Sequence, residues 1–274
     1  MTQSDVRMLK TSNVQWIQPG IESLCTRHLG LLKKGVSAIQ NLALLKWCRE
    51  QGIEVSWNLL CGIPGEHQDD YEAQMRLMNH IPHFTPPGLS PIRVDRYSPY
   101  FKNPEEYGWT KLTPFGSYRF MHPQLNEEAL VEIAYHFDAI GGPDLGAYYR
   151  ALDVAVRRWQ RRHTAGDGLF WDETIGLVRI SEGQGSMIER DSLLDRLIEQ
   201  THEITTIHRL LTLRDVTTDL IDQLVDQGVL YREGDRVINL AVRVPDVNPP
   251  ESTSAMHRTR NDGQVLQTGN NLQT

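Results

Sequence analysis

Cysteine is scarce in this chain of 274 residues. There are three, Cys25, Cys48 and Cys61, and no two fall within four positions of each other. That spacing excludes a disulfide framework and the close cysteine pairs of zinc and iron–sulfur motifs. The expectation is reduced, mostly buried thiols and a cytoplasmic setting. Long apolar runs are also missing: none approaches the roughly 20 residues that span a bilayer. The start, Met1 to Lys10, is polar and helix-like, unlike a secretory signal. Basic charge is in deficit, with 28 Lys and Arg against 35 Asp and Glu and a net charge of −7. This speaks against general nucleic-acid affinity and leaves room for a local basic patch. A nucleophile elbow and a phosphate-loop glycine pattern are both absent.

What is present is an alternation of short apolar runs and amphipathic stretches. Ser4 can cap a helix through Lys10, and Val14 to Ile17 reads as a strand. Gly35 to Gln51 has a helical period that Gly52 closes. Ile53 to Leu60 is so continuously apolar that it suits a strand buried on both faces. Asp69 to Ile81 is helical again. A Pro-rich link, Pro82 to Pro91, leads to a third strand, Ile92 to Tyr97. This order is the signature of βαβ units in a parallel sheet.

Pro99 to Pro123 reads as irregular. Asn126 can cap a helix from Glu127 to Ile140, ended by Gly141-Gly142-Pro143, and Asp144 opens another to about His163. After the turn Gly166-Asp167-Gly168, Leu169 to Asp172 and Leu177 to Ser181 read as a hairpin. Asp191 to Thr201, Ile204 to Leu211 and Thr217 to Gln227 are short helices. Val229 to Tyr231 and Val237 to Val242 flank the turn Glu233-Gly234-Asp235. Three helices and a hairpin make a winged-helix-like pattern. From Pro245 the composition predicts a disordered tail.

In parallel βα sheets, ligands bind at the C-terminal strand ends. Three clusters fall there: Gln18, Glu22 and Ser23; Asn58, Gly62, Gly65 and Glu66; Arg96, Tyr97 and Ser98. Glycine lets the backbone approach a planar ligand. Glu22 could accept from an amine or a ribose hydroxyl, and Arg96 could pair with a carboxylate. The plainer alternative is that Gly62-Ile63-Pro64-Gly65 is a strand-to-helix turn and nothing more.

Three segments resemble one family. They are Gln18-Pro19-Gly20-Ile21-Glu22-Ser23-Leu24, Trp57-Asn58-Leu59-Leu60-Cys61-Gly62-Ile63-Pro64-Gly65-Glu66, and Pro91-Ile92-Arg93-Val94-Asp95-Arg96-Tyr97-Ser98. They look like the fourth, fifth and sixth strands of the barrel in cobalamin-type radical S-adenosylmethionine enzymes that mature ribosomally made peptides. The resemblance is strongest over residues 4 to 110. It implies an α/β fold: a partial (half) radical-SAM-type parallel βα barrel over 1–110, a loop and helical connector over 111–168, a winged-helix-like α+β module over 169–244, and the tail over 245–274.

By the resemblance, Gln18, Glu22 and Ser23 contact the amino or ribose part of S-adenosylmethionine. Asn58, Leu60, Gly62 and Ile63 belong to the motif that packs the adenine. Arg96 and Tyr97 face substrate. Asn58 stands where the family has a first glycine, and Glu66 comes one position late, so capping the next helix suits it equally. The CxxxCxxC loop that binds the family's [4Fe–4S] cluster is missing, together with the first three strands and the cobalamin domain. A half barrel would also expose the Val14–Ile17 strand edge.

The expectation is therefore a fragment, a remnant or a subunit of a split enzyme, without radical activity alone. Its partners would be the complementary half and a precursor peptide, with no nucleic acid and no membrane. No residue is assigned to catalysis or to a metal. The alternative is a cluster-less protein that presents precursor or leader peptide through the winged module. That module's last helix carries Asp219, Asp222 and Asp226 and no cation, which opposes a DNA contact. Arg157, Arg158, Arg161 and Arg162 share a helix stripe, read as a solvated face or as a contact for an acidic peptide or a phosphate. His80 and His83 are spaced for a metal pair, against surface or loop histidines as the plainer reading.

Overall fold

The computed structural model describes residues 1–141, 146–188 and 191–244. The expected tail lies outside them, as do Gly142, Pro143 and Asp144. Residues up to Val244 form one compact unit, a mixed α/β fold of several small sheets. Among the described residues none of these closes into a barrel.

The first stretch runs α1 (Gln3–Thr11), β1 (Trp16–Ile17), α2 (Thr26–Leu31), α3 (Ala38–Glu50), β2 (Glu54–Val55), β3 (Asn58–Cys61), α4 (Gln68–Met78) and β4 (Gly88–Pro91). Thr2, not Ser4, caps α1: its side chain takes the Asp5 N–H while Asp5 returns to the Thr2 N–H. Gly52 sits at φ +61° just past α3, a conformation that costs glycine little. β1 pairs in parallel with β2, and β3 with β4. The Ser56 N–H donates to Ile17 O (2.9 Å), Leu60 N–H to Glu22 O (2.8 Å) and Gly88 N–H to Trp57 O (3.0 Å), joining the two pairs into a three-strand parallel wall.

This wall corrects the reading of Ile53 to Leu60 as buried on both faces. Val55, Trp57, Leu59 and Cys61 are buried, whereas Glu54, Ser56 and Asn58 are exposed and Leu60 is half-buried. The period of two places one face on the core and leaves the other open. Trp16, half exposed, shares the open face through its register with Glu54. Asn58 lies beside Gly88, where a Cβ would stand 2.6 Å from its Oδ1.

Two further expectations are corrected in the next stretch. It runs β5 (Val94–Asp95), α5 (Pro99–Lys102), β6 (Trp109–Pro114), α6 (Gly116–Met121), α7 (Glu127–Ile133) and β7 (His136–Gly141). The third parallel strand is Gly88–Pro91, inside the supposed Pro-rich link. Its single proline, Pro91, is tolerated because β4 has a partner on one side only. Val94–Asp95 belongs to a different, antiparallel sheet ordered β5-β7-β6. The helix expected to Ile140 stops at Ile133. Phe137, 1% exposed, is then a central-strand core residue between β5 and β6.

The remainder contains α8 (Gly146–Thr164), β8 (Gly168–Asp172), β9 (Gly176–Ser181), β10 (Gln184–Met187), α9 (Ser192–Gln200), β11 (Thr205–Thr206), α10 (Ile207–Leu210), α11 (Thr218–Asp226), β12 (Leu230–Glu233), β13 (Arg236–Asn239) and β14 (Val242–Arg243). The hairpin β8–β9 extends to β10 on one side and, in parallel, to β14 on the other. The helices α9, α10 and α11 surround a three-strand sheet ordered β11-β13-β12. Asp191, Thr206 and Thr217 cap these helices with their side chains.

The main core is not confined to the first stretch. Leu42, Leu45, Trp57 and Leu59 pack in one cluster with Trp159, Ile238, Leu240 and Val242. Lys46, fully buried on α3, donates to His202 O (3.2 Å), Asn239 O (3.1 Å) and Asn239 Oδ1 (2.7 Å). The C-terminal strands are thereby fastened to the helix that crosses the parallel wall.

Candidate functional site

The strand end after β3 builds a cavity of about 290 Å3. Gly62, Ile63 and Ile92 line one side, Trp109 and Phe137 the other, and Glu66 and Tyr149 complete it. Gly62 (φ +79°) and Gly65 (φ +84°) make the turn possible. The volume is at the small end of ligand pockets. It is large enough for one planar, base-sized group, in a lining that mixes Ile92, Trp109 and Phe137 with the polar Glu66, Asp138 and Tyr149.

Glu66 is the organising residue, in a way the sequence does not announce. Its buried carboxylate accepts the Ile63 N–H (2.8 Å) and the hydroxyls of Tyr71 and Tyr149. It locks the turn instead of capping α4. That helix is capped at His67, whose N–H donates to Asp70 Oδ2 (3.0 Å). Burial, and then the hydrogen bond to Glu66, push the Tyr71 phenol well above its ordinary pKa. Burial and the nearby Glu66 charge raise the Cys61 thiol to about 11. Neither group ionises near neutral pH.

Of the nine residues proposed from the sequence, Gly62 and Ile63 line this cavity. Gln18 is exposed, and Asn58 is exposed on the open wall with Leu60 half-buried beside it. The Glu22 backbone is left-handed (φ +58°) and its carboxylate pairs with Lys34 Nζ at 2.9 Å. Ser23 is buried: its hydroxyl donates to Gln74 Oε1 (3.0 Å) and accepts the Cys25 N–H (3.0 Å). It tethers α4 to the end of the first strand segment.

Arg96 is placed elsewhere. Its guanidinium donates to Ala134 O (2.6 Å) and Val131 O at the end of α7, over the Phe101 and Phe137 rings. Those bonds tie down helix carbonyls, so this side chain is already engaged. Tyr97 is 71% exposed with φ +71° and is not among the cavity residues.

The other singled-out residues resolve as structural. His83 is 1% exposed, corrects the surface reading, and bonds backbone on both ring nitrogens, to Leu240 O (2.7 Å) and the Leu169 N–H (3.3 Å). In the arginine stripe, Arg157 pairs with Asp153 and Arg162 with Asp167. Trp159 is buried and donates to Phe84 O.

The three cysteines are free: Cys48 and Cys61 buried, Cys25 half-buried. They do not fit an iron–sulfur cluster. The one convergence of metal-ligating side chains among the described residues joins Cys25 to His28 and Asp70, with neither other cysteine. That trio escaped the sequence reading, although Cys25-Thr26-Arg27-His28 was a visible signal. Among the described residues no helix is long and apolar enough to cross a membrane. No family model matches the chain, and neither the curated proteins nor the solved structures provide a match.

Proposed function

We propose that this chain supplies the nucleoside-cradling side of a radical S-adenosylmethionine enzyme that modifies, by C-methylation, a ribosomally made peptide. The observation that carries the reading is the cavity at the end of β3, walled by the Gly62–Glu66 turn. The open polar face of the parallel wall supports it, because a half-barrel and a winged-helix-like C-terminal module together would leave such a face for a complementary segment. In this reading Gly62 and Ile63 pack the adenine. Glu22 stands at the neighbouring strand end, and Ser23 acts by holding Gln74 and the chain before α2. Arg96 positions α7, and substrate contact is left to Tyr97 and the open face.

By the resemblance, the [4Fe–4S] cluster supplies the electron that cleaves S-adenosylmethionine, and cobalamin serves the methyl transfer. This chain's own cysteines lie apart, so the cluster ligands come from elsewhere, and the residues here bind and orient. Calorimetric titration with S-adenosylmethionine, with and without a cluster-bearing complementary chain, tests the proposal. Binding is expected to strengthen with the complement and to be lost in Gly62→Val. Cleavage to 5′-deoxyadenosine by this chain alone, or no binding under either condition, refutes it.

A second reading is a peptide-binding protein without catalysis. It is favoured by β10, an outer strand whose four residues are all exposed and whose open edge could accept an added strand. Titration with precursor peptide in the absence of S-adenosylmethionine separates the two.

A further inference from the structure

A C-x-x-H run places a thiol and an imidazole about one helical turn apart. In this chain Cys25 is the N-cap of α2 and His28 lies within that helix. Asp70, in the first turn of α4, meets them from the other crossover. The Cys25 Sγ is 3.5 Å from Asp70 Oδ1, and His28 Nε2 is 3.3 Å from Asp70 Oδ2. One ligand atom from each residue lies within 4.8 Å of the other two.

A second observation points to a missing ligand. The His28 side chain is 0% exposed, yet its Nε2 has no hydrogen-bond partner. The 3.3 Å approach to Asp70 lacks the alignment of a hydrogen bond. A buried ring nitrogen without a partner is a costly omission unless something else fills the position.

We propose that Cys25, His28 and Asp70 form a site for a divalent zinc-class cation, bound through the thiolate, Nε2 and one carboxylate oxygen. Thiolate with imidazole favours zinc over magnesium or calcium, which prefer oxygen ligands. Zinc–ligand bonds of about 2.0–2.3 Å make tetrahedral edges of roughly 3.3–3.8 Å. The Cys25 Sγ–Asp70 Oδ1 separation already matches; the His28 Nε2 approach is to the other carboxylate oxygen, so small rotations of the Asp70 and half-buried Cys25 side chains close the remaining edges.

The surroundings suit this role. Asp70 Oδ1 faces the thiol, while Oδ2 is held by Arg27 and the His67 N–H. One oxygen is thus oriented by the other's bonds, as ligating carboxylates require. Coordination through Nε2 places the proton on Nδ1, where Ser23 Oγ, 3.5 Å away, can accept it; the Gln74 Nε2 amide, 3.4 Å from Nδ1, can only donate and keeps its bond to Asp70 O instead. The thiol loses its proton to solvent as the metal binds. Thiolate and carboxylate supply two negative charges to the cation, with the Arg27 guanidinium already paired to the same carboxylate. Three protein ligands leave a fourth position for water. The cation would staple the two helices that follow the first and second strand segments.

The test uses the full chain, stripped with chelator and reloaded with Zn2+ or Co2+. Elemental analysis should find one zinc per chain, and the cobalt form should carry a thiolate charge-transfer band. Cys25→Ser and His28→Gln should each lower zinc affinity by about 100-fold or more, and Ser23→Ala by about 10- to 100-fold. Alkylation of Cys25 in the unmutated chain, followed by mass spectrometry, is independent of any folding defect in a variant. Zinc should protect this thiol at least tenfold. Alkylation at the same rate with and without zinc overturns the proposal. So does zinc retained equally by Cys25→Ser and His28→Gln, which would mark adventitious binding.

Discussion

Acidification should destabilise this protein in part through His83, and replacing that residue should remove its share of the effect. The ring is buried with a neutral arrangement satisfied on both sides: Nε2–H donates to Leu240 O and Nδ1 accepts from the Leu169 N–H. A second ring proton would have no acceptor. Burial accordingly lowers the pKa to about 3, against an ordinary 6.5. The unfolded chain therefore binds one more proton than the folded chain between those values. The stability contributed by the neutral ring is full above pH 6.5, and falls with pH until about 3. From pH 7 to pH 4 the loss due to His83 is about 3 kcal/mol, at 1.36 kcal/mol per pH unit below 6.5. Urea unfolding at the two pH values measures it. His83→Gln should start about 1–2 kcal/mol less stable at pH 7 because its bonds are imperfectly replaced. Its decline toward pH 4 should be shallower than that of the unmutated chain by the 3 kcal/mol. Parallel declines would refute the reasoning.

Lys46→Met leaves Asn239 Oδ1 and two backbone carbonyls without their shared donor. It should cost about 3 kcal/mol and lower Tm on the order of 10 °C by calorimetry. Burial draws the Lys46 pKa down to about 7. The unmutated chain should therefore gain stability from pH 7 toward pH 10, a gain the methionine variant lacks. Gly168→Ala places a Cβ 2.5 Å from the His83 Cβ and 2.7 Å from the Phe170 ring. It should cost about 2–3 kcal/mol in urea unfolding, as overpacking does.

The order of the first strands and helices is legible because their periods are clean and glycine marks the stops. Gly52 and Gly62 do adopt the positive φ that such stops need. The one-sided burial of the second strand was also legible in principle, since Glu54, Ser56 and Asn58 alternate with Val55, Trp57 and Leu59. Its apolar residues, taken together, mask that alternation. Residues 127–140 read as one helix because Glu127 to Ile133 carries a real helix signal, which masks the short central strand after it. The Gly62–Ile63 turn was readable, but the fate of Arg96 was not: its acceptors are carbonyls 35 and 38 residues away. The same holds for Cys25 and Asp70, brought together from 45 residues apart.

The way the last strands complete the first core has a consequence for synthesis. Helix α3 packs against β12, β13 and β14, and the Arg243 N–H closes on Glu50 Oε1 at 3.1 Å. A ribosome that has finished α3 must still add roughly 190 residues before Val242 exists, about 10–40 s at ordinary elongation rates. Through that interval the apolar flank of α3 has no native cover. The N-terminal segment, made first, finishes folding last, and its exposure while it waits is set by translation speed.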